Sequence, residues 1–165
     1  MTCKELVRIP VLGCIQFCVF YMFSDILYLE MITLITVLFA MVFTKKEAIL
    51  GSLIFAILNI LMKQGLTIWS FMYLIIYPSY SLIACLIKPL AKKNDVIVII
   101  LCFVMSFMTG QLMQLPFMLI SKKATMIYII IGLKTSLIQA VITLIISGLL
   151  YKKLYQALIR IKGGI

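Results

Sequence analysis

Four ionisable residues interrupt long apolar runs: Asp25, Glu30, Lys63 and Lys134. An ionisable group at the centre of a membrane helix costs roughly 2.5–3.5 kcal/mol, so each asks for a partner or a ligand. Polar side chains recur at every fourth residue nearby, as Ser106, Gly110 and Gln114 in one run and Thr135, Gln139 and Thr143 in another. Asn59 stands one helical turn before Lys63, and Phe55 one turn before that. The stretch "WSFMYLIIYPSY" repeats the spacing with rings, at Trp69, Tyr73 and Tyr77, and Tyr80 follows. Such spacing stacks side chains on one helix face. The chemistry open to these sets is recognition: rings stack a flat heterocycle, and a few convergent polar groups orient it.

Catalysis has little to work with. The chain has no histidine, which removes Ser/His proteolysis, His-based acyl transfer and the HExxH metal site together. Of its five acids, Glu5, Glu47 and Asp95 sit beside basic residues, and no two carboxylates share an apolar run at metal-ligating or acid–base spacing. No phosphate-cradling glycine loop is present, so the chain is not itself an ATPase. Neither an enzyme nor a cofactor is expected. The five cysteines, Cys3, Cys14, Cys18, Cys85 and Cys102, are odd in number and form no evident disulfide framework. Cys14 and Cys18 share a helix face, but two thiols alone make a poor metal site and serve better as small packing residues.

The elements that must position these groups follow from composition. Of 165 residues, 65% are hydrophobic and 12% charged, against about half and about a quarter in a soluble domain. A chain this apolar cannot cover a water-facing surface, which makes it an integral membrane protein. Apolar runs cover Leu6–Phe23, Ile26–Thr44, Ala48–Met62, Leu66–Ile87, Val96–Leu115 and about Ala124–Tyr151. Each approaches the roughly 20 residues that span a hydrocarbon core of about 30 Å. The expected fold is all-α, a six-transmembrane-helix bundle in one domain, 1–165. The short third run is extendable through its flanking lysines. Pro116–Ile131 reads as a loop, a re-entrant turn or the first turns of a long last helix. After Tyr151, Leu154, Leu158 and Ile161 share one face opposite basic residues, which suits the inner leaflet or a partner.

Charge sets the expected orientation. Lys4, Arg8, Lys45, Lys46, Lys88, Lys92, Lys93, Lys152, Lys153, Arg160 and Lys162 fall on one side of a six-span arrangement, and Lys63, Lys122, Lys123 and Lys134 on the other. That asymmetry places both termini in the cytoplasm. The net charge of +10 is then a topology signal near anionic headgroups and needs no nucleic acid. The opening "MTCKELVRIPVLGCIQFCVF" resembles a signal peptide, but Met22, Phe23 and Asp25 occupy the place of a cleavage site, so it reads as a retained first helix.

Each group also has a plainer role. Glu30 either pairs with Lys63 or Lys134 or contacts a ligand. Lys63 can snorkel to the interface, and Lys122 and Lys123 suit a solvated loop. The polar stripes can be interhelical hydrogen bonds of about 0.6 kcal/mol each. The ring ladder can be packing plus an aromatic belt, which Trp69 suits but Tyr77 and Tyr80 lie too deep for. Pro78 frees the carbonyl of Leu74 from its helical bond, so the ladder can bend.

The segments "KELVRIPVLGCIQF", "LYLEMITLITVLFAMVFTKKEA", "GLTIWSFMYLIIYP" and "LLYKKLYQAL" resemble the substrate-binding S components of energy-coupling factor (ECF) vitamin transporters. The resemblance covers nearly the whole chain in order, through span lengths and soft motifs. It implies a multi-pass protein of a bacterial plasma membrane that captures one small planar B-vitamin or precursor, pyridoxine-like or hydroxymethylpyrimidine-like, at the outer face. It implies partnership with a transmembrane T subunit and two cytoplasmic ATPases, and toppling of the whole S component during transport. The family's alanine-x-x-x-alanine docking face on helix 1 corresponds to Pro10 and Cys14, beside Gly13 and Cys18. The alanines themselves are missing. The family's ligand site corresponds to Trp69, Tyr73, Tyr77, Gln114 and Gln139, closed by loops near Asp25 and Lys63. With Glu30 and Asn59 from the polar pattern, these complete the expected site. The alternative is a small structural or pore-forming membrane protein that self-associates through helix 1 and holds no metabolite.

Overall fold

A computed structural model describes residues 3–91, 93–119 and 121–164. Lys92, counted above among the basic residues of one side, and Ile120, inside the stretch left open, lie outside them. Among the described residues six α-helices follow in order: α1 (Cys3–Phe23), α2 (Met31–Val42), α3 (Lys45–Asn59), α4 (Ile68–Ala91), α5 (Asp95–Leu112) and α6 (Lys122–Gly164). There is no strand among the described residues. Five helical stretches are long and apolar enough to cross a membrane, and α2 is the exception. The chain is an all-α bundle with the length and composition of a membrane protein. Successive helices reverse direction, so the ends of α1, α3 and α5 and the starts of α2 and α4 meet at one end, here termed the open end.

The second apolar run folds differently from its sequence expectation. Its helix begins at Met31 rather than Ile26, and twelve residues at 1.5 Å each reach only about 18 Å. Every residue from Ile32 to Val42 is buried. A helix that is apolar all round belongs inside a bundle, and α2 packs against each of the other five. The preceding Ser24–Glu30 segment is irregular, with Tyr28 at φ 63°. Irregular backbone among apolar helices is tolerated where it lines a cavity, and this segment lines the one described below.

Local signals explain the other boundaries. Thr44 and Glu47 form a capping box that starts α3: the Glu47 amide donates to Thr44 Oγ1 at 3.3 Å and the Thr44 amide to Glu47 Oε2 at 2.9 Å. The helix continues as a π-turn, Ile60–Gln64, so the short third run gains Lys63 and Gln64 beyond Met62. Gly65 stops it at φ 67°, a conformation that side chains with a Cβ avoid. Asn94 caps α5 through the amide of Val96, at 2.9 Å. Of the three readings of Pro116–Ile131, the last holds from Lys122 onward, after a 3₁₀ turn at Leu115–Leu119.

Close packing sits away from the open end. A Cβ on Gly13 would lie 2.6 Å from Ile54 Cγ2 and 2.9 Å from the Gly51 carbonyl oxygen. Gly13 is therefore the contact that lets α1 lie on α3, as small residues do between membrane helices. This corrects its place in the expected docking face: Gly13 is buried, whereas Pro10, Cys14 and Cys18 are exposed. One turn further along α1, buried Gln16 donates to Thr36 Oγ1 and Ser52 Oγ, each at 3.2 Å, and Ser52 meets Ser81 at 2.6 Å. Four helices share that polar thread.

The far end is closed by basic side chains. The last carbonyls of α2 lack helical partners and accept from lysines instead: Val42 O from Lys162 Nζ and Phe43 O from Lys88 Nζ, both at 2.8 Å. Arg8 lies 3.7 Å from Glu47. The tail after Tyr151, expected to rest on a leaflet or a partner, continues α6 and docks on the bundle. Lys152 pairs with Asp95 at 3.3 Å, Leu154, Tyr155 and Leu158 pack on the core, and Arg8 reaches the Lys162 carbonyl at 3.5 Å. Burying that apolar face against the chain's own core leaves only Ile161 of the expected stripe exposed.

Candidate ligand-binding site

The open end contains a cavity of about 490 Å³, within the range of small-molecule sites. All six helices or their adjoining turns contribute to its lining. At its base lies Glu30, the residue immediately before α2. Glu30 Oε1 accepts from Thr33 Oγ1 at 2.7 Å and from the Tyr77 hydroxyl at 3.3 Å. Glu30 Oε2 accepts from Ser106 Oγ at 2.5 Å and Gln139 Nε2 at 2.6 Å. One carboxylate thus joins α2, α4, α5 and α6. Thr143 backs Ser106 at 3.0 Å, so the two sequence stripes on α5 and α6 meet each other at this carboxylate. Further up, Gly110, Gln114 and Thr135 line the walls.

The ion-pair readings of Glu30 are overturned. Lys63 lies 3.8 Å from Asp25, donates to Ser24 Oγ, and stands 5.1 Å from the rings of both Phe20 and Tyr21. Lys134 is exposed on α6. The physical reason lies in backbone paths: the irregular Ser24–Glu30 segment presents Asp25 to the π-turn at the rim and sends Glu30 inward. Lys63 thereby ties two loops at the mouth.

The ring ladder divides. Tyr73 and Tyr77 line the cavity, stacked at 5.4 Å between centroids and 25° between planes. Phe55 meets both edge-on from behind, at 6.2 and 5.2 Å, and Phe20, itself in the lining, meets Tyr73 at 5.6 Å, which holds the two tyrosines in place. Trp69 is not in the lining. It packs on Phe117 at 5.5 Å, which stacks on Tyr128 at 4.1 Å. One helical turn N-terminal to Tyr73, Trp69 stands beside the hairpin between α5 and α6, and that hairpin covers its ring. Tyr80 is buried below, its hydroxyl donating to Met105 O at 3.0 Å.

Asn59 also falls outside the lining, although Lys63 and Gln64 enter it. The π-turn that follows Asn59 changes the rotation per residue, so the four-residue face running from Phe55 does not carry on to Lys63. Asn59 is fully buried and neither polar atom of its amide has a hydrogen-bond partner among the described residues. A buried amide without partners costs about 1–3 kcal/mol. Asn59→Leu, similar in volume, is therefore expected to stabilise the protein by about 1–3 kcal/mol, measured by thermal unfolding of the purified chain. A lower midpoint would mean that Asn59 has a polar role after all.

Five of the seven expected ligand residues therefore come together: Glu30, Tyr73, Tyr77, Gln114 and Gln139. Sequence reasoning overlooked Phe20, Gln64 and Thr109. Phe20 gave no signal beyond being one ring in an apolar helix. Thr109 was hidden one position from Gly110, on the stripe that was recognised.

The fold and site define a class: an α-helical bundle of membrane composition with a carboxylate-centred cavity at one end. No protein-family model, curated protein or solved structure matches the chain.

Proposed function

We propose that this chain is the substrate-binding S component of an ECF-type importer, capturing a small planar B-vitamin or precursor. In this reading six segments lie in the plasma membrane, with α2 and the Ser24–Glu30 segment together forming the second. Both termini are cytoplasmic and the open end faces outward. A transmembrane T subunit and two cytoplasmic ATPases supply the energy. The observation that carries the reading is the convergence of four helices on Glu30 beside the stacked Tyr73–Tyr77 pair, at the place where the family resemblance puts a ligand. The exposed Pro10, Cys14 and Cys18 remain available as a face for the T subunit.

Self-association through helix 1 has less support, because Gly13, the smallest residue of its expected interface, is spent within the chain. A pore has less support as well, since the core packs solidly below Glu30 and lysines close the far end.

The reading is tested by a mass spectrum of small molecules released from the purified chain and by binding of a B-vitamin panel. Tyr73→Ala is expected to weaken the bound member of that panel by about tenfold, as losing one stacked ring removes about 0.5–1.5 kcal/mol plus its buried area. Trp69→Ala, outside the cavity, is expected to change affinity less than about twofold. Equal losses for the two variants, or no panel member bound, would count against the site.

A further inference from the structure

We propose that the molecule captured in this cavity is a cation, a small planar ring carrying a protonated or quaternary nitrogen, with Glu30 as its counter-ion. The inference rests on reading the cavity as a capture site.

The charges at the cavity surface motivate it. Three charged side chains line the cavity: Asp25, Glu30 and Lys63. Asp25 and Lys63 pair with each other at the rim, which leaves Glu30 as the ionisable side chain of the lining that has no opposite charge beside it among the described residues. Its four hydrogen-bond partners are three hydroxyls and an amide. They orient both carboxylate oxygens without neutralising them. The chain has 15 basic residues against five acidic ones, so bases are plentiful, yet none among the described residues is placed at Glu30. A carboxylate inside an apolar bundle is costly unless it meets an opposite charge. A ligand that brings the charge supplies what the protein withholds.

The surrounding rings fit the same class of ligand. Tyr73, half-buried in the lining and stacked on the buried Tyr77 that bonds Glu30, offers aromatic surface to the cavity, and aromatic faces attract cations, including ring and quaternary nitrogens. An anionic ligand meets the opposite situation. The lining's single base is already engaged with Asp25 and Ser24, and a phosphate or carboxylate near Glu30 would face like charge. The cavity therefore selects against phosphorylated and carboxylated forms of the same ring.

The test uses two matched pairs titrated calorimetrically into the purified full-length chain at neutral pH. Pyridoxamine is compared with pyridoxine, and 4-amino-5-aminomethyl-2-methylpyrimidine with its 5-hydroxymethyl counterpart. Within each pair an ammonium group replaces a hydroxyl. The ammonium member of the pair that binds is expected to bind tighter by on the order of tenfold, the scale of one charge-assisted hydrogen bond. Glu30→Gln is expected to bring the two members within about twofold. If the variant does not fold, the ratio measured on the unsubstituted chain decides alone. Equal or tighter binding of the hydroxyl member overturns the cation inference and leaves vitamin capture standing. A preference that survives in a folded Glu30→Gln protein overturns Glu30 as the counter-ion. If none of the four binds, benzamidinium and benzamide are compared by thermal unfolding. Stabilisation by benzamidinium alone supports the cation site while rejecting the vitamin class, and stabilisation by neither overturns both.

Discussion

Glu30→Ala is expected to empty the site. The substitution removes the acceptor shared by Thr33, Tyr77, Ser106 and Gln139, so the ligand's partner and the brace between four helices vanish together. Hydrogen bonds to a charged group contribute about 1.5–3 kcal/mol each. Loss of even one ligand contact of that kind plus the disordering of its neighbours corresponds to about a hundredfold loss of affinity. Any small molecule released from the unsubstituted chain should be absent from the mass spectrum of the variant. The stability effect should be smaller, about 1–3 kcal/mol, because the cavity lets the released hydroxyls and the amide reach water. A variant that keeps its bound molecule would remove Glu30 from the site. A variant that unfolds outright would show the carboxylate to be chiefly a structural brace.

Gly13→Val is expected to have the largest effect on stability, at the middle of α1. Here the obstacle is geometric. The first added carbon would lie 2.6 Å from Ile54 Cγ2 and 2.9 Å from the Gly51 carbonyl, and a backbone oxygen cannot turn aside as a side chain can. Overpacking typically costs about 1–3 kcal/mol, and the upper end applies where α1 must lift off α3. Lifting α1 would also disturb Gln16, one turn on, and its bonds to Thr36 and Ser52. Cys14→Val, one residue along on the exposed side, is the control and should shift the unfolding midpoint little. Co-purification then separates the two faces of α1. If the proposed importer reading holds, Cys14→Val is expected to weaken recovery of a T subunit while the fold persists, whereas Gly13→Val should reduce recovery only as far as it unfolds the chain. Equal midpoints for the two variants would contradict the α1–α3 contact.

Much of the architecture was legible before any coordinates. Apolar runs of membrane length mark real helices, and the breaks between those runs contain the real boundaries at Thr44–Glu47, Gly65 and Asn94. These are local events, decided by residues within a turn of one another. Glu30 and the stripes through Ser106 and Gln139 were visible for a related reason: a polar group among apolar neighbours must find a partner inside the bundle. Their types and spacing were enough to nominate them.

Direction was the part that sequence could not supply. In water an apolar stripe points to the core, but in lipid the surroundings are as apolar as the interior. Periodicity then says which residues share a face without saying where that face looks. Trp69 and Tyr73 share a face and part company, because the hairpin before α6 covers one ring and the cavity receives the other. Gly13 and Cys14 are adjacent and look opposite ways. The irregular path of Ser24–Glu30 sends Asp25 to Lys63 and Glu30 inward, a choice set by the packing of α2 on five neighbours. Sequence by itself determined that this chain is helical and membrane-like. Tertiary packing alone decided which polar groups meet, because contacts between distant helices depend on rotations that no local pattern encodes.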